Sequence, residues 1–418
     1  MAMEFKRRLP IPMEIREEMP LSAELTAKKQ AFDAEVAKVF TGEDARKVLI
    51  IGPCSADRED SVLEYMNRLA KTAEEVKDKL IIIPRVYTNK PRTKGTGYKG
   101  LLHNPDPEAP DDLLEGVKAI RHMHLRVIEE TGFFTADEML YPSNYQYLVD
   151  LLSYVAVGAR SVENQEHRLV SSGISVPVGM KNPTAGSTTV MLNSIYAAQA
   201  HQSFIFRNWE VECDGNPLAH AVMRGYIGLD GRTYPKVTTT STWSAWPSAI
   251  PSMPATPIRR QSSTATTTTR ASARWSSTAF ARRYSTAAAA TSPSPNLVKG
   301  FMIESYLEDG NQPVDGGVFG KSITDPCLGW ENDRLPHPRD RGAGLVTRAA
   351  FGQSDVQLQG RDQKVSALSF HVTLSQMRPA RCPSSTCGVV LLRMRQLGTF
   401  LFCRQSGMFL GVVIGDVL

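Results

Sequence analysis

The chain has 418 residues, 42% of them hydrophobic and 22% charged, with six cysteines and a formal net charge of +5. That composition belongs to a globular protein long enough for one large core or two ordinary ones. It excludes a disulfide framework, and with no run of roughly 18 uncharged apolar residues it excludes a membrane span. The basic balance is local: residues 231–303 hold nine Arg or Lys and no Asp or Glu, so the remainder is net acidic. No basic face for nucleic acid is expected. The N-terminus, MAMEFKRRLPIP, has basic residues without an apolar segment behind them, which points to a cytoplasmic protein rather than a secreted one.

In chain order, residues 1–45 read as a helical N-terminal arm, with a charged, Ala-rich helix over 21–40, Ser22 as its N-cap and Glu24 close behind. Residues 46–230 alternate apolar runs (KVLIIGPCS, KLIIIPRV, GFFTADE, VAVGARS, VPVGMKN, QSFIFRN) with helical stretches such as 61–76 and 111–130. Several runs are continuous rather than alternating, as in parallel strands covered on both faces. Nearly every run ends in a reactive or charged residue: Cys54, Arg85, Glu138, Arg160, Lys181 and Asn208. A (β/α)8 TIM barrel gathers all its strand C-termini at one mouth, whereas an open doubly wound sheet gathers them only at a switch point; the pattern favours the barrel.

Residues 231–296 break the rhythm. They are Thr/Ser/Ala/Pro-rich, acid-free and without apolar periodicity, and they read as a linker, a mucin-like stalk or a stretch translated out of frame. Order returns over 297–330, where LVKGFMIESYLEDGNQ reads as another barrel strand ending in Glu304. Residues 331–418 show no convincing series of elements, and Cys382, Cys387 and Cys403 lack the spacing of a zinc site.

The candidate chemistry lies at the strand ends. Arg92, Lys99, Arg160, Lys181 and Arg224 are cations on separate segments. Taken singly each is an ordinary surface or salt-bridge residue. Arriving together, they suit a phosphorylated, carboxylated substrate, which Arg forks bind bidentately. Residues 95–100 (GTGYKG) match G-x-G-x-x-G, but no helix opens on them, so a phosphate-contacting loop fits better than a dinucleotide site. Cys54, Glu304 and Asp325 follow apolar runs. A thiolate and two carboxylates, joined by an imidazole, would suit Mn, Fe, Co or Zn; alone, Cys54 is a small buried hydrophobe.

IGPCSAD, NKPRT, GARSVENQEHR, PVGMKNPTAG, MIESYLEDGNQ and GKSITDPCLGW, in this order, resemble the class I 3-deoxy-7-phosphoheptulonate (DAHP) synthase family over 46–230 and 297–330. The resemblance implies a (β/α)8 barrel with an N-terminal helical extension that serves the oligomer and, in many members, aromatic amino acid feedback. It implies the condensation of phosphoenolpyruvate with erythrose 4-phosphate. Arg92, Lys99, Arg160, Lys181 and Arg224 would hold phosphoenolpyruvate; Lys90, Pro91, Arg92 and Thr93 would receive the acceptor; Lys99 and Glu138 are the catalytic candidates. Cys54, Glu304 and Asp325 would bind a divalent metal, and Cys327 resembles a cysteine that oxidises reversibly against the metal-site thiol.

The match departs from the family in one place. The fourth metal ligand, a histidine on the strand before MIES, is expected within 231–296, and the chain has no histidine between His220 and His337. His103, His167 and His220 belong to other motifs, and His337 lies in the unmatched tail. Strand seven is therefore expected to be disrupted. Two alternatives follow: a catalytically impaired remnant, or a related phosphoenolpyruvate-dependent aldol synthase with another acceptor, such as arabinose 5-phosphate.

Overall fold

The computed structural model describes residues 3–106, 110–227, 233–234, 263–267, 298–330, 379–380, 388–394, 398–405 and 408–414. The chain divides into two compact units, Met1–Gln357 and Leu358–Leu418. Among the described residues no helix is long and apolar enough to cross a membrane.

The first unit opens with α1 (Pro12–Glu18) and α2 (Ala23–Thr41). Ser22 caps α2 by accepting from Leu25 N at 3.2 Å, and Gly42 in the left-handed region ends it. There follow β1 (Lys47–Gly52), α3 (Glu59–Val76), β2 (Leu80–Pro84), α4 (Leu113–Thr131), β3 (Thr135–Glu138), α5 (Pro142–Tyr145), β4 (Leu152–Val157), α6 (Gln165–Ser172), β5 (Val178–Lys181) and α7 (Thr188–Gln199). After these come β6 (Gln202–Phe206), β7 (Trp209–Cys213), β8 (His220–Met223), β9 (Tyr226–Ile227), β10 (Thr233–Tyr234), β11 (Ser263–Thr267), β12 (Val298–Tyr306) and β13 (Leu328–Gly329).

The main sheet runs β2-β1-β12-β11-β8-β5-β4-β3, and β13 adds to β12. Every pairing along this order is parallel. The strand–helix alternation expected from the sequence is therefore present. Between the two outermost strands there is one parallel bridge, Arg85 to Ala136, reinforced by Val86 N donating to Ala136 O at 2.9 Å.

Two expectations are corrected here. QSFIFRN is not a strand of the main sheet: β6 pairs with β7 as an antiparallel hairpin, and Asn208 sits in its turn with φ 66°, away from the strand ends. The burial of β6 alternates, with Ile205 82% exposed, because only one face of the ribbon packs. The place assigned to that run belongs to β8. The other expectation was a disruption of strand seven, yet its place in the ladder is filled. The backbone of Ser263–Thr267 stands between β8 and β12, parallel to both. Threonine favours extended backbone, so a threonine-rich run can fill a ladder without apolar periodicity.

Strands β1 and β2 are almost wholly apolar because both of their faces are covered. Leu49, Ile51, Leu80 and Ile82 face the helical layer, with Val62, Met66 and Leu69 of α3 and Val117 and Ile120 of α4 in the same cluster. Their alternates Val48, Ile50, Ile81 and Ile83 form a second cluster with Val36, Val39 and Phe40 of α2. Each such side chain, fully buried, contributes about 1.5–3 kcal/mol relative to exposure. The N-terminal arm is thus part of the core.

The second unit contains β14 (Pro379–Ala380), β15 (Gly388–Met394), β16 (Gly398–Gln405) and β17 (Met408–Ile414) as an antiparallel sheet in that order. The expectation that the tail has no element series is corrected. GVVLLRM, GTFLFCRQ and MFLGVVI are short apolar runs rich in β-formers separated by turn-length gaps, the pattern of successive hairpins.

Candidate active site

All strands of the main sheet point the same way, so the residues after their C-terminal ends share one side of it. Gly52 pairs with Glu304 across β1 and β12, and Ile51 with Pro84 across β1 and β2. Cys54, Arg85 and Glu304 are therefore brought together by register. A Cβ on Gly52 would lie 2.4 Å from Arg85 O, so only glycine lets the two strand ends approach this closely.

Arg85 is fully enclosed. Its guanidinium donates to Glu304 Oε1 at 2.8 Å, to Pro53 O at 3.0 Å and to Cys54 O at 3.2 Å, and lies 3.6 Å from the Tyr87 ring centroid. Burial disfavours its charge, but Glu304 and the neighbouring acids outweigh this and hold the group above its ordinary range. Lys90 donates to Cys54 Sγ at 2.7 Å and to Asp325 Oδ2 at 3.0 Å. Here too burial is overcome, by Cys54, Asp325 and Glu304, and the ammonium is pushed up. The Cys54 thiol is pushed up by burial and by Glu304, against the pull of Lys90.

The loop carrying Asp325 is fastened to the β1 end. Ser55 Oγ and Thr324 Oγ1 are 2.8 Å apart, and Cys54 N donates to Cys327 Sγ at 3.2 Å. Both thiols are free. Across the sheet, Lys181 at the end of β5 donates to Glu138 Oε2 at 2.6 Å. Burial would raise Glu138, but Lys181, Arg85 and Lys90 outweigh it and hold the carboxyl low. A Cβ on Gly158 would stand 2.4 Å from Glu138 Oε1, so the glycine of the GARS motif makes room for this carboxylate. Arg85 and Lys90 act on Glu138 as well as on Glu304, so the two groups form one electrostatic cluster.

The remaining sequence candidates have partners of their own. Arg160 donates to Thr93 Oγ1 at 2.8 Å, joining the segment after β4 to the NKPRT segment. Arg224 N donates to Asn182 Oδ1 at 2.6 Å, tying the ends of β8 and β5. Arg92 donates to Tyr98 O at 2.6 Å, within its own loop, and Pro91 lies between Arg92 and Lys90. Lys99 is partly exposed and 3.6 Å from Asp111, so the structure places it against that acid. Arg85 was visible in the sequence as a strand end but carried no assigned role. Its signal is a guanidinium closing the continuous apolar strand LIIIP.

Among the described residues no three His, Cys, Asp or Glu side chains form a ready metal cage. Cys54 and Asp325 instead share the Lys90 ammonium, while Glu304 Oε2 is buried with no hydrogen-bond partner. A thiol, a carboxylate and an unpartnered buried carboxylate oxygen fit a borderline divalent cation by donor chemistry.

Residues 19–237 match the DAHP synthetase I family. The Trp-sensitive phospho-2-dehydro-3-deoxyheptonate aldolase of Enterobacter agglomerans is 33% identical over 337 residues, 77% of this chain and 90% of that protein. The Phe-sensitive enzyme of Escherichia coli K12 is 32% identical over 340 residues, 79% of this chain and 92% of that protein. The structure of the corresponding aldolase from Francisella tularensis SCHU S4 is similar in fold, with a TM-score of 0.72 at 24% identity, covering 83% of this chain and 98% of that one. Motif order, fold and relatives agree: this chain belongs to the DAHP synthetase I family.

Proposed function

We propose that this chain condenses phosphoenolpyruvate with erythrose 4-phosphate to 3-deoxy-D-arabino-heptulosonate 7-phosphate, the first step of aromatic biosynthesis. In this reading the parallel strands form a closed (β/α)8 barrel and the site is its mouth. The observation that carries it is that three largely enclosed cations, Arg85, Lys90 and Lys181, act on one carboxylate, Glu138, on the C-terminal side of the sheet. Two phosphorylated substrates repel each other in water, and fixed cations in a dry site offset that repulsion without reorganising.

Lys181, Arg160 and Arg224 hold the carboxylate and phosphate of phosphoenolpyruvate, with Arg92 and Lys99 on the adjoining loop. Lys90, Pro91, Arg92 and Thr93 face the acceptor. Glu138, kept ionised by Lys181, is the group in the cavity able to take up a proton. Cys54, Glu304 and Asp325 are the residues to hold a divalent Mn, Fe, Co or Zn, which when bound supplies a Lewis acid for the acceptor's aldehyde.

Exposed apolar side chains on the arm (Phe5, 90%) and on the hairpin (Trp209, 74%) support a homo-oligomer. The Trp- and Phe-sensitive names of the relatives support an aromatic amino acid as feedback inhibitor. A cytoplasmic location completes this reading. A second reading, an impaired member of the family, rests on the lack of any histidine between His220 and His337.

Calorimetric titration with phosphoenolpyruvate tests the site assignment. The wild type should bind, and Lys181→Met should weaken binding by about 10-fold or more, as loss of a charged hydrogen bond does. Equal binding by both would remove Lys181 from the site.

A further inference from the structure

Glu138 and Asp137 are neighbours on β3, so their side chains leave opposite faces of the sheet. Glu138 meets Lys181. Asp137 turns toward the helical layer, where its carboxylate is buried and the mechanism above does not use it. There it accepts from Thr88 Oγ1 at 2.5 Å, Thr88 N at 3.1 Å and Glu138 N at 2.6 Å. His124 of α4 is wholly buried behind it, bonded at 3.2 Å through Nε2 to Asp137 Oδ2 and at 2.7 Å through Nδ1 to Thr135 Oγ1.

The position of this group gives it a use. Backbone pairing between β2 and β3 stops at the Arg85–Ala136 bridge and the Val86–Ala136 hydrogen bond. Beyond that point the Asp137 carboxylate does what a strand would have done, accepting both the amide and the hydroxyl of Thr88. Two residues later stands Lys90, whose ammonium reaches Cys54 and Asp325.

We propose that Asp137, braced by His124, is a positioning residue that sets the segment from Thr88 to Lys90, and thereby the acceptor side of the site. The inference rests on the reading that Lys90 faces the acceptor. Phosphoenolpyruvate, held mainly from the segments after β4, β5 and β8, feels this segment only through Arg92 and the Arg160–Thr93 contact.

The test uses the full chain with divalent metal supplied, comparing Asp137→Asn, Thr88→Val, the double variant and Thr88→Ser. Asp137→Asn and Thr88→Val should each raise KM for erythrose 4-phosphate by about 10–100-fold, the loss typical when an orienting partner is removed. KM for phosphoenolpyruvate should rise by a clearly smaller factor. The double variant should be no worse than either single, since one interaction is removed in all three. Thr88→Ser, which keeps the hydroxyl, should behave as wild type. A folded Asp137→Asn with unchanged KM for the acceptor, or with both KM values raised alike, would overturn the proposal.

A structure of a folded variant, Thr88→Val if Asp137→Asn does not fold, reads the same claim without turnover. Lys90 should leave Cys54 Sγ; a contact still at 2.7 Å would refute the assignment. If the wild type uses another acceptor or none, the functional reading fails, and the Lys90 position alone decides this inference.

Discussion

The Lys90 ammonium lies 2.7 Å from Cys54 Sγ across a sequence separation of 36 residues, the two groups carried by the segments that follow adjacent parallel strands. The same ammonium reaches Asp325, separated by 235 residues. One cation therefore gathers two of the three proposed metal donors and stands beside the acceptor segment. Replacing it by Met should cut kcat/KM by about 100-fold or more, the scale of removing a charge preorganised for the transition state. Steady-state kinetics on Lys90→Met check this, and near-wild-type turnover would count against it.

The buried ion pair Lys181–Glu138 makes a stability prediction. Removing one partner leaves a buried charge uncompensated and should cost about 3–5 kcal/mol, whereas Lys181→Met with Glu138→Gln together should cost less than the two singles summed. Denaturant unfolding of the set measures the coupling, and simple additivity would show that the two charges do not compensate each other.

Asp57 in the IGPCSAD motif gives a pH dependence. Its carboxyl is raised from 3.8 to about 6, chiefly by burial, and its Oδ1 has no hydrogen-bond partner. The folded state holds this proton more tightly than the unfolded chain. Its contribution is therefore fully present below 3.8 and is lost as pH rises through about 6. Asp57→Asn should stabilise the protein on the order of 2–3 kcal/mol at pH 7.5 and by little at pH 4. Thermal melts at the two pH values decide it; a gain that does not change with pH would contradict the burial account.

Metal affinity should be modest. With Cys54, Glu304 and Asp325 as donors and no histidine from the segment before β12, affinity should fall at least 10–100-fold short of a complete site, by analogy with lost supporting ligands. Cobalt titration followed by thiolate-to-metal absorbance measures it, with Cys54→Ser as the control that abolishes the band. Tight stoichiometric binding would call for a donor beyond these three.

What the residues disclosed, and what they hid, follows from range. KVLIIG and LIIIP were legible as parallel strands because burial on both faces leaves them no polar alternates. QSFIFRN misled because an apolar hairpin with one packed face can look as apolar as a sheet strand over five residues. Ser263–Thr267 was hidden because threonine extends the backbone without giving the sequence an apolar pattern. Asp137 and Thr88 could not be paired by reading, since 49 residues separate them and only the packing of β3 beside the β2 end makes them neighbours.

The most direct measurement is phosphate release from phosphoenolpyruvate by the purified, metal-supplemented full chain, with erythrose 4-phosphate and arabinose 5-phosphate offered in parallel. The account predicts turnover with erythrose 4-phosphate, dependent on Lys90 and Lys181, and little with arabinose 5-phosphate. Preference for the pentose, or no turnover by protein shown to be folded and metal-bound, would contradict it.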